Sequence, residues 1–155
     1  MNKILFLTLA CANIISGCVH QTAPEVGNSV SSGSGKILAG NSSVIYDFNQ
    51  ADYETALSSD KLVVLYFYAN WCPICRAEVP KMYDAFDELT TDKVIGLRVN
   101  YKDGDTDDFE KQLAKQYGIT YQHTKVFLKN GQQVLKSLEE WNTEKYLEEI
   151  NKHIQ

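Results

Sequence analysis

With 155 residues the chain is long enough for one domain and a short extension, and its 44% apolar and 23% charged residues are ordinary for a globular protein. The formal net charge of −5 gives nucleic-acid binding no electrostatic support, so no nucleic-acid partner is expected. The residues with the most distinctive chemistry are the four cysteines, two near the N-terminus and two near the middle of the chain.

The first seventeen residues have the pattern of a secretory signal. Lys3 gives a basic start, an apolar run follows to Ile15, and small residues precede Cys18. This pattern resembles the bacterial lipoprotein lipobox, which implies that residues 1–17 are removed and that Cys18 carries lipid embedded in a bilayer. An ordinary signal peptide or an uncleaved anchor are the alternatives, although the apolar run is short for a transmembrane helix. We therefore expect an extracytoplasmic domain that is lipid-anchored to a membrane of the bacterial cell envelope.

Residues 18–43 are predicted to be the lipidated cysteine followed by a flexible tether. The segment is rich in serine and glycine, and it has no apolar periodicity. We therefore expect residues 19–43 to contribute nothing to the core, and the folded domain to comprise residues 44–155.

Apolar periodicity and turn residues predict the element order β-α-β-α-β-α-β-β-α for this domain. The predicted strands are 44–48, 62–69, 94–99, 125–129 and 133–138, and the predicted helices are 50–58, 75–89, one carrying Phe109, Leu113 and Tyr117, and one beginning near Asn142. The run 62–69 is apolar on both faces, as is typical of a central strand covered on two sides. Helices between strands imply parallel pairing, whereas Asn130-Gly131 predicts an antiparallel hairpin. The expected fold is an α/β mixed central sheet with helices on both faces.

Cys72 and Cys75 lie where the predicted central strand gives way to a helix. Unpaired backbone N–H groups and the positive end of the helix dipole favour a thiolate there, and the thiolate is the form that attacks disulfides. The second cysteine can then close an intramolecular disulfide and release a bound partner. Structural zinc needs four ligands, whereas the predicted domain adds only His123 and His153. Redox chemistry is the favoured interpretation, and no cofactor is expected because the electrons reside on the sulfurs.

Residues 44–154 resemble thioredoxin-like proteins. The matching features are the segment 68–75, Pro80 five residues after the second cysteine, Tyr117-Gly118-Ile119 and Lys129-Asn130-Gly131. The resemblance implies a thiol–disulfide oxidoreductase in which Cys72 is the attacking thiol, Cys75 is the resolving thiol and Trp71 packs beside them. The implied partners are proteins with thiols or disulfides, together with an upstream redox partner in the membrane.

The sequence departs from that family at three places around the cysteines. Tyr66 stands where thioredoxins usually carry a buried aspartate, which is thought to shuttle a proton for the resolving cysteine. Pro73 and Ile74 separate the cysteines, where cytoplasmic thioredoxins have Gly-Pro. Pro73 resembles the first intervening residue in periplasmic oxidants of the Dsb type and in some cytochrome-maturation thioredoxins. His123 stands where the family has a cis-proline beside the active site. These four residues are the expected neighbours of the pair, and they leave the direction of exchange open.

Two metal-binding interpretations compete with the redox one. Cys72, Cys75 and His123 are soft ligands suited to copper(I), so a copper-delivery module of the same fold is the main alternative. Copper-delivery proteins of this kind usually place three residues between their cysteines, which speaks against that role. The acidic segment 103–108 resembles part of a calcium loop but lacks the glycine and glutamate that such a loop requires. We expect it to be a loop that leads into a helix N-cap.

Overall fold

A computed structural model describes residues 35–155 of the chain. The elements in this range are β1 (Ile37–Ala39), β2 (Val44–Asp47), α1 (Gln50–Leu57), β3 (Leu62–Tyr68), α2 (Pro73–Glu88), β4 (Val94–Asn100), α3 (Asp108–Gln116), β5 (Thr124–Lys129), β6 (Gln132–Ser137) and α4 (Thr143–His153). The predicted signal peptide, Cys18 and most of the predicted tether lie outside the described residues. Between residues 35 and 155, no helix combines the length and the apolar composition needed to cross a bilayer.

The strands form one mixed sheet in the order β1-β2-β4-β3-β5-β6. β4 pairs in parallel with both β2 and β3, because a helix separates these strands in the chain. β5 pairs antiparallel with β3 and with β6, and the β5–β6 hairpin turns at Asn130 and Gly131, which both have positive φ as a two-residue turn of this kind requires. The predicted α/β fold with a mixed central sheet is confirmed.

The two faces of the sheet carry separate hydrophobic cores, and β3 contributes to both. On one face Val64 and Tyr66 pack with side chains of α2 and α4. On the other face Leu65 and Phe67 pack with side chains of α1 and α3. Successive residues of a strand point to opposite faces, so a run that is apolar throughout is buried on both sides. β3 therefore delivers its carboxyl end, and the cysteines that follow it, to the edge of a rigid core.

The prediction that the folded domain starts at residue 44 is wrong, because residues assigned to the tether belong to the sheet. β1 pairs antiparallel with β2 and places Ile37 opposite Tyr46. Leu38 packs against the core on the α2 and α4 face, and the buried Ser43 hydroxyl donates to the Thr91 carbonyl at 2.7 Å. A strand of three residues is too short to show the alternation of apolar and polar residues that identifies a strand. The glycine and serine around it therefore made the whole segment resemble a tether.

The acidic segment before α3 forms a loop and a helix cap, as predicted. The Asp107 side chain accepts from the Glu110 N–H at 2.7 Å, and the Glu110 carboxylate accepts from the Asp107 N–H at 2.9 Å. This reciprocal pair satisfies backbone donors that the first turn of a helix leaves free. Asp103 lies earlier in the loop, where its carboxylate accepts from the Thr106 hydroxyl at 2.9 Å.

Candidate active site

Cys72 is the N-cap of α2, and the geometry of the site follows from this position. The helix begins at Pro73, two residues before the predicted start at Cys75. Proline suits the first helical position because its fixed φ is already helical and its missing N–H is not needed there. The Cys72 sulfur accepts from the Cys75 N–H at 3.2 Å, as a capping side chain does. Negative charge on this sulfur is therefore placed at the positive end of the helix dipole.

Both sulfurs are held in a small buried cluster as free thiols. Cys72 is 1% exposed and Cys75 is fully buried, with Ala69 beside them and Ile74 packed against the group. Burial is the main cause that raises the pKa of the Cys75 thiol to about 12, and the adjoining Cys72 sulfur raises it further. Cys75 consequently holds its proton at neutral pH until a neighbouring group helps to remove it.

Trp71 lies on the surface beside the pair rather than in the core. Its side chain is 52% exposed, and its indole N–H donates to the Lys102 carbonyl at 2.9 Å. The backbone N–H of Asn70 donates to the Asp103 carboxylate at 3.1 Å. These two contacts fasten the turn before Cys72 to the loop that follows β4.

Tyr66 is fully buried near the carboxyl end of β3, and its side chain faces α2. Its hydroxyl donates to Glu78 Oε2 at 3.1 Å, and its proximity to Cys75 lowers the pKa of that thiol against the larger effect of burial. Burial is the main cause that raises the pKa of Tyr66, so the phenol keeps its proton and remains a donor. The position that usually holds an aspartate thus carries a hydroxyl that donates to a carboxylate on the next helix and lowers the pKa of Cys75.

Glu78 is the centre of a buried polar cluster that the sequence analysis missed. Besides Tyr66, its carboxylate accepts from the Lys125 ammonium at 2.7 Å, the backbone N–H of Trp141 at 3.0 Å and the Tyr146 hydroxyl at 2.9 Å. Lys125 is fully buried, and desolvation lowers its pKa although the Glu78 carboxylate opposes that shift. Its ammonium also donates to the Glu139 carbonyl. Burying two charges is tolerated here because each has hydrogen-bond partners.

Two signals in the sequence could have revealed this cluster. Glu78 is three residues after Cys75 on a helix whose inward face includes Val79 and Met82, so its carboxylate points toward the core. Lys125 opens an apolar run in a strand that is otherwise buried, where a charge needs a partner. Neither residue is unusual by itself, and only the sheet brings the two together.

His123 lies in the turn that precedes β5. Its N–H donates to the Phe67 carbonyl at 2.7 Å, and its φ is +57°, a left-handed conformation that a proline ring cannot adopt. The backbone here thus differs from that of any proline at the same position. The Nδ1 atom is buried without a hydrogen-bond partner among the described residues. A role for the imidazole in tuning the thiols stays a prediction.

The ligand sets of the metal-binding alternatives are not assembled. In the part of the chain from residue 35 onward, no group of three or more histidine, cysteine, aspartate or glutamate side chains is arranged to hold a metal ion. Cys72, Cys75 and His123 therefore do not form a three-ligand copper(I) site among these residues, and the carboxylates of 103–108 do not converge as calcium ligands would.

Relatives with similar sequences are thioredoxins and disulfide isomerases. The chain is 33% identical to Thioredoxin-T of Drosophila melanogaster over 102 residues, a match covering 66% of this chain and 60% of that protein. It is 34% identical to the thioredoxin of Malassezia sympodialis over 91 residues, covering 59% of this chain and 79% of that protein. A match to protein disulfide-isomerase of Gallus gallus is 32% identical but spans only 15% of that longer protein.

Solved structures with a similar fold include thioredoxins. The thioredoxin of Malassezia sympodialis superposes with a TM-score of 0.56 at 25% identity, covering 75% of this chain and 93% of that structure. The thioredoxin of Aeropyrum pernix gives a TM-score of 0.57 at 19% identity, covering 75% and 91%, and at that identity it speaks for the fold alone. The family model described as thioredoxin matches residues 44–154, a range that contains the cysteine pair, the buried carboxylate cluster and the hairpin. The chain therefore belongs to the thioredoxin family.

Proposed function

We propose that the protein exchanges disulfides with protein substrates through Cys72 and Cys75. The observation that carries this proposal is the position of Cys72 at the N-cap of α2, where its sulfur accepts from the Cys75 N–H at 3.2 Å. A sulfur in that position is favoured as the thiolate, which is the attacking species in exchange. The second thiol, one helical turn away, is placed to complete the reaction.

The reaction proceeds by two sulfur displacements. The Cys72 thiolate attacks one sulfur of a substrate disulfide, that S–S bond breaks, and the released substrate thiolate takes up a proton. Cys75 then loses its proton and attacks the Cys72 sulfur, so the mixed disulfide breaks and the second substrate sulfur leaves as a thiolate. The substrate has gained two electrons, and the protein is left with a Cys72–Cys75 disulfide. The same steps run in reverse when the partner has the lower reduction potential.

Tyr66 assists the second displacement. The raised pKa of Cys75 makes loss of its proton the difficult event, and a hydroxyl proton turned toward that sulfur stabilises the thiolate as it forms. When Cys75 carries its own proton, the same hydroxyl donates to Glu78. The carboxylate is held in place by Lys125 and Tyr146, so the hydroxyl has a fixed acceptor in Glu78 whenever it is not turned toward the sulfur.

Trapping of intermediates tests the assignment of the two thiols. Cys75→Ala is expected to accumulate mixed disulfides between Cys72 and substrates, because the resolving thiol is absent. Cys72→Ala is expected to accumulate none, because the attacking thiol is absent. Non-reducing electrophoresis after acid quenching measures both variants. Accumulation by Cys72→Ala and not by Cys75→Ala would reverse the assigned roles, and accumulation by neither would contradict the proposed exchange.

The domain works outside the cytoplasm, held at a membrane by lipid on Cys18, and exchanges electrons with a membrane redox partner. The basic, apolar and small-residue pattern of 1–18 supports this part of the proposal. Disulfides form and persist in such a compartment, which suits a dithiol that cycles. Cys18→Ala is expected to leave in vitro exchange unchanged and to move the protein from the membrane fraction to the soluble fraction. Retention in the membrane fraction would mean that another segment holds the protein.

A further inference from the structure

The chain enters the sheet at the same end as the cysteines. β1 runs antiparallel to β2, and the Lys36 carbonyl accepts from the Asp47 N–H at 2.8 Å. Asp47 pairs with Arg98 of β4, and Arg98 pairs in turn with Tyr66 of β3. Lys36 is therefore level with Tyr66, near the carboxyl end of β3, and Gly35 lies one residue closer to that end.

Gly35 is fixed at this position by the residues that begin α1. Its N–H donates to the Asp52 carboxylate, which also accepts from the side-chain amide of Asn49. A Cβ at residue 35 would lie 2.7 Å from the Asp47 carbonyl oxygen, so the close approach requires glycine. The point at which the segment 19–34 joins the domain is therefore set by the fold.

β1 is an addition to the part of the chain that matches the thioredoxin family model, which covers residues 44–154. Without β1 the sheet would begin at Val44, which pairs with Ile95 and is thus level with Val63 at the amino end of β3. The added strand moves the entry of the chain to the opposite end, where Cys72 lies. Only β2 and β4 separate β1 from β3, which corresponds to about 14 Å at the usual strand spacing.

We propose that the cysteine-bearing end of the domain faces the bilayer, and that Cys72 exchanges with disulfides held at the membrane surface, such as those in short extramembrane loops of a membrane protein. This inference rests on the proposed lipid anchor at Cys18 and on the proposed exchange function. Sixteen residues, 19–34, separate Cys18 from Gly35 and span at most about 60 Å in any conformation. Because this segment joins the domain beside the cysteines, the sheet does not stand between them and the lipid.

The charges at this end of the domain do not produce the orientation. The loop that follows the carboxyl end of β4 carries Asp103, Asp105, Asp107 and Asp108, which an anionic lipid surface would repel. The orientation follows from the path of the chain, so it should hold on vesicles of zwitterionic phosphatidylcholine.

Lipid disulfides at two heights above the bilayer test the proposal with the full chain. The native lipoprotein is reconstituted in phosphatidylcholine vesicles that carry a pyridyl disulfide, either on a phosphatidylethanolamine headgroup or at the end of a polyethylene glycol spacer. Release of pyridinethione is followed by absorbance. Deleting residues 21–32 keeps the residues next to Cys18 and leaves four before Gly35, a reach of about 20 Å. We expect this deletion variant to react with the headgroup disulfide at least as fast as the native protein, whereas scrambling 21–32 at constant length should leave the native rate.

Anchoring the opposite end of the domain supplies the matched control. His153 packs on Phe127, which pairs with Val64 toward the amino end of β3, so the C-terminus lies away from the cysteines. A Cys18→Ala protein with six histidines after Gln155 binds nickel-chelating lipid through a segment that also reaches about 20 Å. We expect it to react with the spacer disulfide, but with the headgroup disulfide about tenfold or more slowly than the deletion variant, because a short connection that cannot span the distance lowers the effective concentration.

The outcomes distinguish failure of this inference from failure of the proposed function. If deletion of 21–32 abolishes the headgroup reaction while the spacer reaction persists, or if the two anchored variants react equally with the headgroup disulfide, the proposed orientation is wrong. A native protein that does not remain on the vesicles would overturn the lipid anchor and the orientation with it. A native protein that reacts with neither lipid disulfides nor soluble dithiodipyridine would overturn the exchange function itself.

Discussion

Replacing Tyr66 with phenylalanine removes the hydroxyl that donates to the buried Glu78 carboxylate and lowers the pKa of Cys75, the proposed resolving thiol, and leaves the aromatic ring in the core. The hydroxyl lowers the pKa of Cys75 against the larger effect of burial, so its loss is expected to raise that pKa above its value of about 12. A hydrogen bond to a charged group contributes about 1.5–3 kcal/mol, which corresponds to about one to two pKa units.

The expected change in rate follows from this shift. Below the pKa, one to two units reduce the thiolate fraction about 10- to 100-fold. A thiolate of higher pKa is a stronger nucleophile, and a Brønsted coefficient of about 0.4–0.5 offsets roughly half of that loss on a logarithmic scale. Resolution of the mixed disulfide should therefore slow by about 3- to 10-fold. The rate should still rise about tenfold per pH unit, because neutral pH lies far below the pKa in both proteins.

The assay joins glutathione to Cys72 and follows its release across neutral to mildly alkaline pH. Tyr146→Phe is the matched control, because it removes a buried hydroxyl that donates to the same carboxylate without a hydrogen bond to Cys75. Both variants lose one donor to Glu78, so both should lose similar stability. Equal release rates for Tyr66→Phe and wild type, or an equal slowing in Tyr146→Phe, would refute a direct role for the Tyr66 hydroxyl.

Four further single variants and one double variant test the packing and electrostatics of the fold through urea unfolding of the reduced protein. Lys125→Met is expected to lower the free energy of unfolding by about 3–5 kcal/mol, because it leaves the Glu78 carboxylate unpaired in the core. Adding Glu78→Gln should recover part of that loss. An equal loss in the single and double variants would contradict the ion-pair account. Gly96→Ala places a Cβ 2.7 Å from a core side-chain carbon and should cost about 1–3 kcal/mol. Gly104→Ala, which meets open space, should change stability by less than about 0.5 kcal/mol. His123→Gly should gain about 1 kcal/mol by relieving the positive φ, and a loss of stability would show that its side-chain packing outweighs the strain.

The sequence predicted most of the sheet because its strong signals are local. The run 62–69 is apolar on both faces, and Asn130-Gly131 supplies the positive φ values of a tight hairpin, so each specifies its structure without help from distant residues. The strand Ile37–Ala39 was missed because it forms only by pairing with β2. Its stability comes from a neighbour that the local sequence does not reveal.

In the site, too, the local feature was predictable and the long-range one was not. The spacing of Cys72 and Cys75 at a strand–helix junction predicts a sulfur at the helix N-cap, and Cys72 occupies that position. The carboxylate cluster escaped prediction because its partners come from separate elements. Lys125 is on β5, and Glu78 is 47 residues earlier on α2. Their pairing is a property of the sheet order, which places β5 next to β3.

The Glu78 carboxylate also has a consequence for the order in which the chain matures. Two of its four donors, the backbone N–H of Trp141 and the Tyr146 hydroxyl, lie 63 and 68 residues after Glu78 in the chain. Cys72 and Cys75 emerge much earlier, and at that stage Cys75 lacks the burial that later raises its pKa. A nascent chain therefore presents two ordinary, accessible thiols to any oxidant, and the distinct reactivities of the mature pair arise only once the fold buries Cys75. Pulse-labelled chains stalled before residue 141 should alkylate at both cysteines alike, whereas completed chains should protect Cys75.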